Sequence, residues 1–406
     1  MPSSVHNSLP PGTQAVAVVD PSSGGRFVAE RLELLGIPVL RLGSDAELDE
    51  HQRAFFLQAN KDAVAILPGS ESGVIAAEKW AHEFELRGND PATSVIRRNK
   101  HRMAEALSVS GVPICRQALH SDLTEAEEWA AHVGYPVVVK PPESSGSDLV
   151  RICRSPHDFK KAAQAILANK TKYDVVSDGV LVQEYMHGDE YTLDGVVFQG
   201  ELVIFAVGKY KKIQVDGGFV YDHIEFHGSE SRSFDRRLVA YAQDVVRALK
   251  VIVGAVHIEI MMTERGPLLV ELAARPHGGI ATAVIDASFT PKFTDAIICS
   301  HLGCSSQAFR DIAVEKNSII YFAKNHDDGT VKCIPGKKKI ETLASYVTSV
   351  WLVNDGDHVA RTVDLATCPA LIHLANAKQA DLHADLRTLE CLDGSGGLIV
   401  LEQGIS

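Results

Sequence analysis

The sequence predicts an α/β (α+β multidomain) protein: a parallel N-terminal unit, a central mixed region and a β-rich C-terminal part. Three observations lead there. Short apolar runs alternate with helical periodicity over the first ninety or so residues, joined by glycine turns, the pattern of a parallel sheet. Paired strands around tight turns then alternate with longer helices. Finally, 406 residues, 45% hydrophobic and 23% charged, is globular composition at a length beyond one core.

The elements follow in order. Ala15–Val19 is short and Val-rich, a buried strand. Pro21-Ser-Ser-Gly-Gly25 breaks it, and 27–35 carries helical spacing up to Gly36. Without G-x-G-x-x-G spacing, this turn reads as a plain strand-to-helix connection rather than a dinucleotide site. Strands at 38–42 and 62–67 follow, then Pro68-Gly-Ser-Glu-Ser-Gly73 and a helix over 74–86. Ligands in such sheets sit beyond the carboxyl ends of the strands, where both glycine-rich turns lie. Arg87-Gly-Asn-Asp-Pro91 is turn chemistry and marks a boundary. One helix is expected over 94–110 and another over 121–133, with Ser121 as N-cap and Gly134 as C-cap. Strands at 135–140, 148–153, 180–185, 191–198 and 201–207 and helices over 156–169 and 233–249 come next. A hairpin of 255–263 with 267–273 turns about Glu264-Arg-Gly266. The last hundred residues predict short strands at 318–322, 331–334, 348–353 and 398–402 and a helix over 376–389, with no chemical motif.

Charge and cysteine use narrow the function. Forty basic against 52 acidic residues give −12, which argues against nucleic-acid and anionic-membrane partners and leaves room for a local phosphate pocket. The seven cysteines are odd in number and form no C-x-x-C, so free thiols in a reducing compartment are expected. The first fourteen residues lack the apolar stretch of a signal peptide, and runs such as 251–256 fall short of the ~18 residues of a membrane span, so a cytoplasmic location is expected.

Four features carry chemistry. Tyr135-Pro-Val-Val-Val-Lys140-Pro-Pro-Glu-Ser144-Ser145-Gly146-Ser147 ends a strand in a lysine before a hydroxyl-rich loop. Such a lysine can meet phosphate oxygens while loop amides and hydroxyls close over them, or it can be a solvated surface group. Arg97-Arg-Asn-Lys100-His-Arg puts cations at a helix start, against the macrodipole, a placement that makes sense with an anion between them. Gln183-Glu184-Tyr185-Met186-His-Gly-Asp-Glu190 sets two carboxylates near one hinge, suited to a ribose hydroxyl or an adenine amino group, or to solvent. In the hairpin, period two puts His257, Glu259 and Met261 on one face, with Glu271 on the facing strand. Two carboxylates among apolar neighbours are expensive unless a cation such as Mg²⁺ holds them, the alternative being an ion pair with Arg275.

Together these motifs resemble the ATP-grasp carboxylate–amine ligases, and among them the L-amino acid ligases (dipeptide synthetases), over essentially the whole chain. The resemblance implies an ATP-grasp fold with a Rossmann-like pre-ATP-grasp domain at 1–92, an ATP-grasp region at 93–310 with a lid at about 122–186, and an α+β part at 311–406 completing the core. It implies that Lys100 and Lys140 contact the ATP phosphates beneath a lid loop of Ser144, Ser145, Gly146 and Ser147. Glu184, Tyr185 and Met186 would line the adenine pocket, Glu190 would take the ribose hydroxyls, and Glu259 and Glu271 would hold magnesium. Arg275 would sit over the acyl phosphate and its tetrahedral adduct, and Glu71 would meet a substrate ammonium. Many relatives carry Glu-x-Asn where this chain has Glu271-Leu-Ala273, so a second Mg²⁺ (for which Mn²⁺ could substitute) would lean on phosphate and water.

The chemistry implied is activation of one amino acid's carboxylate by the ATP γ-phosphate, then attack of a second amino acid's amine. Residues 208–223 (Gly-Lys-Tyr-Lys-Lys at their start) form a polar, aromatic stretch expected to border the amino-acid pockets, with Lys209, Lys211 and Lys212 open to reading as a solvated face. His223 and the pair His277 and Gly278 are candidate substrate contacts, His223 equally a surface histidine. Small-molecule amino acids are the expected partners, and a homodimer is common for this architecture. A non-proteinogenic acid or peptide as substrate, or a nucleotide-binding module without turnover, stay open as alternatives.

Overall fold

The computed structural model describes residues 12–402 other than 145, 147, 172, 216 and 217. At the N-terminus, β1 (Ala15–Val19), α1 (Gly25–Leu34), β2 (Val39–Leu42), α2 (Glu50–Gln58), β3 (Val64–Pro68) and α3 (Gly73–Glu83) build a parallel sheet ordered β2-β1-β3. The apolar pattern does not announce α2. It buries only Phe56 and is specified locally, by a capping box between Asp49 and Gln52. Glycine is required where the two turns meet, since a Cβ on Gly25 would lie 2.2 Å from the Gly69 Cα.

The helix expected over 94–110 is two helices, α4 (Val95–Arg98) and α5 (Lys100–Val109). Asn99 between them is extended, and its side chain accepts from the amides of His101 and Arg102. A capping asparagine thus overrides the continuous helical periodicity and makes Lys100 the first residue of a helix.

Next come β4 (Gln117–His120), α6 (Leu123–Val133), β5 (Val137–Lys140), β6 (Arg151–Cys153), α7 (Pro156–Ala168) and β7 (Val180–Glu184), an antiparallel sheet ordered β4-β7-β5-β6. Helices α6 and α7 cover one face through Ala126, Ala130, Phe159 and Ala163. Asp122, not Ser121, caps α6, its carboxylate accepting from the amides of Thr124 and Glu125.

The large sheet has eight antiparallel strands. In chain order β8 (Asp189–Phe198), β9 (Glu201–Val215), β10 (Gly218–His227), α8 (Arg237–Ala248), β11 (Val253–Thr263) and β12 (Gly266–Ala273) supply one side of it. Its order is β12-β11-β8-β9-β10 and then Asn317–Phe322, Ala370–Asn376 and Tyr346–Trp351. The polar stretch after residue 207 forms the long β9–β10 hairpin, with a bulge between Tyr221 and His223. Its charged residues gave no apolar alternation to read. Strand Ala370–Asn376 and the helices Ala281–Ser288 and Phe293–His301 were also not expected.

Alternation along β11 divides its two faces. Val256, Ile258 and Ile260 pack into an apolar core with α8, α5 and Met103. On the opposite face Ala255 joins the core beneath helices Ala281–Ser288 and Phe293–His301, which also buries α1. Further along that face the same strand turns polar at His257 and Glu259, and there the sheet becomes the floor of a cleft.

Candidate active site

A cleft of about 1470 Å³ runs between the N-terminal turns, the four-stranded sheet, the polar end of the large sheet and the C-terminal part. Glu259 and Glu271 face each other as register partners across the β11–β12 hairpin, and both line the cleft. Lys100 Nζ lies 2.7 Å from Glu271 Oε2 and donates to the Ser144 carbonyl at 2.5 Å. The Lys100 amide also donates to the Pro142 carbonyl at 2.9 Å, tying the start of α5 to the loop after β5. Lys140, at the end of β5, is buried with its ammonium 3.1 Å from Gln183 Oε1. Burial first, and then the Lys100 charge, pushes its pKa below the usual lysine value. Two ammonium groups, Lys100 beside Glu271 and Lys140 beside the neutral amide of Gln183, thus line one cleft, a setting that suits a polyanionic ligand.

Gly146 lines the cleft, and Ser144 Oγ donates to Asp148 at 2.6 Å. Ser145 and Ser147 lie outside the described residues. Tyr185 and Met186 line the cleft beside Gly188 and Asp189. Glu184 is not brought there by its side chain. Its carboxylate accepts from the Arg116 amide and guanidinium, both at 2.8 Å, and pairs with Arg265. Strand alternation explains this: Gln183 and Tyr185 take one side of the chain, and Glu184 takes the other.

Glu190 is buried at the start of β8, paired with Lys212 and accepting from Tyr221 Oη at 3.0 Å. Burial pushes its carboxyl up against the pull of Lys212. Lys212 is therefore no solvated surface residue. Neither its role nor that of Tyr221 is visible in the sequence, because the β9–β10 hairpin that brings both to Glu190 is not.

Arg275 follows β12, and its Nε donates to Glu71 Oε2 at 2.9 Å. Glu71, carried by the Gly-Ser-Glu-Ser-Gly turn, also pairs with Arg98. Burial opposes its charge, but Arg275, Arg98 and Lys100 outweigh burial and hold the carboxyl below its usual range. An ionised Glu71 thus anchors two guanidiniums and links the N-terminal unit to the end of β12. The Ser22-Ser23 turn, read as a plain connection, also lines the cleft, where Ser23 Oγ accepts from the Gly279 amide at 2.8 Å. His277 and Gly278 line the cleft beside it. His223 does not. The bulge in β10 directs it to Asp222, at 2.7 Å from Nδ1, and Asp222 in turn pairs with Lys324 at 2.7 Å.

Glu259 and Glu271 are hard oxygen donors on adjacent strands, open to a cleft that also holds two lysines, a donor set that fits Mg²⁺ shared with phosphate. Ala273 is buried opposite His257 and brings no third donor. The C-terminal part, without a motif in sequence, gives the cleft an apolar wall: Phe322, Leu352, Val363, Leu365 and Leu371.

A family description for the ATP-grasp domain matches residues 133–284, which span β5 to β12 and therefore Lys140, Glu190, Glu259, Glu271 and Arg275. Dapdiamide A synthase of Enterobacter agglomerans is 32% identical over 348 residues, covering 81% of each chain. The chain belongs to the ATP-grasp family. It is an ATP-grasp carboxylate–amine ligase by relationship, similar also to the L-arginine-specific L-amino acid ligase of Bacillus subtilis, 22% identical over 305 residues and covering 72% of this chain and 70% of that one. The fold matches the crystal structure of an L-amino acid ligase from Bacillus licheniformis with a TM-score of 0.77, 17% identity and coverage of 96% and 99% of the two chains. ATP-grasp enzymes in general use ATP with Mg²⁺. Among the described residues no helix is long and apolar enough to cross a membrane.

Proposed function

We propose that this protein joins the carboxylate of one amino acid to the amine of another at the expense of ATP, through an acyl phosphate, releasing ADP and phosphate. The observation that carries this reading is the meeting of Glu259 and Glu271, Lys100 and Lys140, and Arg275 on one cleft wide enough for a nucleotide and two small substrates.

Each residue has a task in it. Lys140 and Lys100 bind and orient the phosphates, with Ser144 and Gly146 beside them. Tyr185 and Met186 form the wall for adenine, and Glu190, fixed by Tyr221 and Lys212, accepts from the ribose hydroxyls. Glu259 and Glu271 would hold Mg²⁺, which when bound offsets phosphate charge during transfer. The absence of a side-chain donor at Ala273 fits one ion held by both carboxylates and a second held mainly by phosphate and water. Arg275, aimed by Glu71, offers its guanidinium to the oxyanion of the tetrahedral adduct. Exclusion of water keeps the acyl phosphate for the amine.

Phosphate release tests the reading: ATP and Mg²⁺ with all pairs of proteinogenic amino acids, and product masses read alongside. Phosphate with a dipeptide mass supports it. Phosphate with one amino acid and no dipeptide points to a non-proteinogenic partner, and nucleotide binding without phosphate in any mixture contradicts it.

A further inference from the structure

Behind Arg275 lies a buried arrangement that the nucleotide and metal chemistry leaves unused. Asp194, wholly buried in the middle of β8, stands between two histidines. Its Oδ1 lies 2.9 Å from His257 Nδ1 and its Oδ2 2.9 Å from His277 Nδ1. The two ring centroids lie 3.8 Å apart with their planes tilted by 32°. A carboxylate only accepts, so each Nδ1 carries the hydrogen. Both Nδ1 atoms are thereby engaged, which leaves each ring its Nε2. For His257, Nε2 lies 3.4 Å from Glu259. His277 differs. It lines the cleft two residues after Arg275, in the cleft that the apolar wall also lines, and a Cβ on Gly279 would lie 3.4 Å from Leu371 Cδ1.

Amide formation needs a proton acceptor at that place. An amino acid enters as an ammonium, which has no lone pair to attack with, so one proton must leave before the carbon–nitrogen bond forms. The carboxylates already named around Arg275 have other partners: Glu71 has Arg98 and Arg275, Glu271 has Lys100, and Glu259 has His257.

Deepening the ligase reading above, we propose that His277 takes the proton from the acceptor's ammonium through Nε2, and that Asp194 is the positioning residue that turns this nitrogen to the cleft. The balance closes. One ammonium proton passes to His277 Nε2, and the freed lone pair forms the C–N bond at the acyl phosphate carbon. The adduct then collapses, and the C–O bond to phosphate breaks with its electron pair on the phosphate. That oxygen takes the nitrogen's second proton, and His277 releases its own proton to solvent. The groups facing His277 suit a neutral base at rest. Burial, the charge on His257 and that on Arg275 push its pKa below the usual histidine value, against Asp194.

Hydroxylamine separates the step from the rest of catalysis, because it is largely unprotonated at neutral pH and attacks acyl phosphates without a base. Wild type, His277→Asn and Asp194→Asn are compared for hydroxamate formation with each proteinogenic amino acid as donor, and for ligation of the pair that wild type joins fastest. Melting temperatures verify that the variants fold. The expected result is a loss of at least about 100-fold in ligation by His277→Asn with hydroxamate formation kept. Asp194→Asn should show the same split to a smaller degree, and the acid limb of the wild-type ligation profile should vanish in His277→Asn. Equal losses in both assays, or ligation unchanged in His277→Asn, would overturn this role alone. No hydroxamate from wild type with any donor would overturn the ligase reading and this role with it.

Discussion

Lys100 Nζ and Glu271 Oε2 stand 2.7 Å apart, joining the start of α5 to the floor of the large sheet. The contact exists because Asn99 ends one helix and caps the next, so that Lys100 leaves at a helix start rather than mid-helix. In the reading proposed above, the ammonium would serve phosphate and the carboxylate Mg²⁺, and the pair would hold both charges in place until those ligands arrive.

Glu271→Ala is accordingly expected to abolish phosphate release, by at least about 100-fold, since it removes a metal-holding charge at the point of transfer. Its melting temperature should stay near that of wild type, because the side chain faces the cleft rather than the core. Activity near the wild-type level in this variant would remove Glu271 from the mechanism.

Glu190 and Tyr221 offer a test of the nucleotide side. Glu190→Gln should raise the KM for ATP by about tenfold, equivalent to ~1.4 kcal/mol, with a smaller effect on kcat, because a ribose contact is present in ground and transition states alike. Tyr221→Phe should move KM in the same direction by less. Steady-state kinetics with ATP varied at fixed amino acids reads both, and an unchanged KM in Glu190→Gln would place the ribose elsewhere.

The Glu71–Arg275 pair predicts a pH signature. Glu71 is held below its ordinary value of 4.5, so its pairing contributes full stability above that pH and loses it as pH falls through the depressed folded-state value. Glu71→Gln should therefore melt below wild type at neutral pH, and the gap should narrow in acid, below pH about 4.5. A gap independent of pH would show that Glu71 acts through packing alone. The same variant should slow turnover, because Arg275 loses the carboxylate that aims it.

The apolar wall predicts a preference. Phe322, Leu365 and Leu371 line the same cleft as Gly279 and Arg275, so one of the two joined amino acids should carry an apolar side chain. Leu371→Asp should lower kcat/KM for that amino acid by at least about tenfold while sparing the KM for ATP. Product masses from the panel of amino-acid pairs measure it, and equal acceptance of charged and apolar side chains would exclude the wall from recognition.

What the sequence disclosed and withheld follows from the kind of signal each part carries. The parallel strands of the N-terminal unit and the β11–β12 hairpin are apolar and periodic, and period two alone puts His257, Glu259 and Met261 on a shared face. Lys140 and Arg275 stand at strand ends where, taken singly, each keeps a plain alternative, a solvated lysine and a structural ion pair, and only the ordered set of motifs singles them out. Residues 208–223 are different: Lys209, Lys211 and Lys212 break the apolar alternation, so the hairpin that carries Lys212 and Tyr221 to Glu190 went unread. Glu184 and His223 carry the right chemistry, but a one-residue change of face in β7 and a bulge in β10 turn them to Arg116 and Asp222. The pairing of Asp194 with His257 and His277 spans 63 and 83 residues, a relationship that no local pattern contains.

The most direct measurement of the central claim is phosphate release coupled to product mass for every pair of proteinogenic amino acids with ATP and Mg²⁺. The account predicts phosphate that depends on amino acids, together with a product whose mass is the sum of two of them less one water. ATP binding without phosphate release in any mixture would contradict it and leave a nucleotide-binding module in place of a ligase.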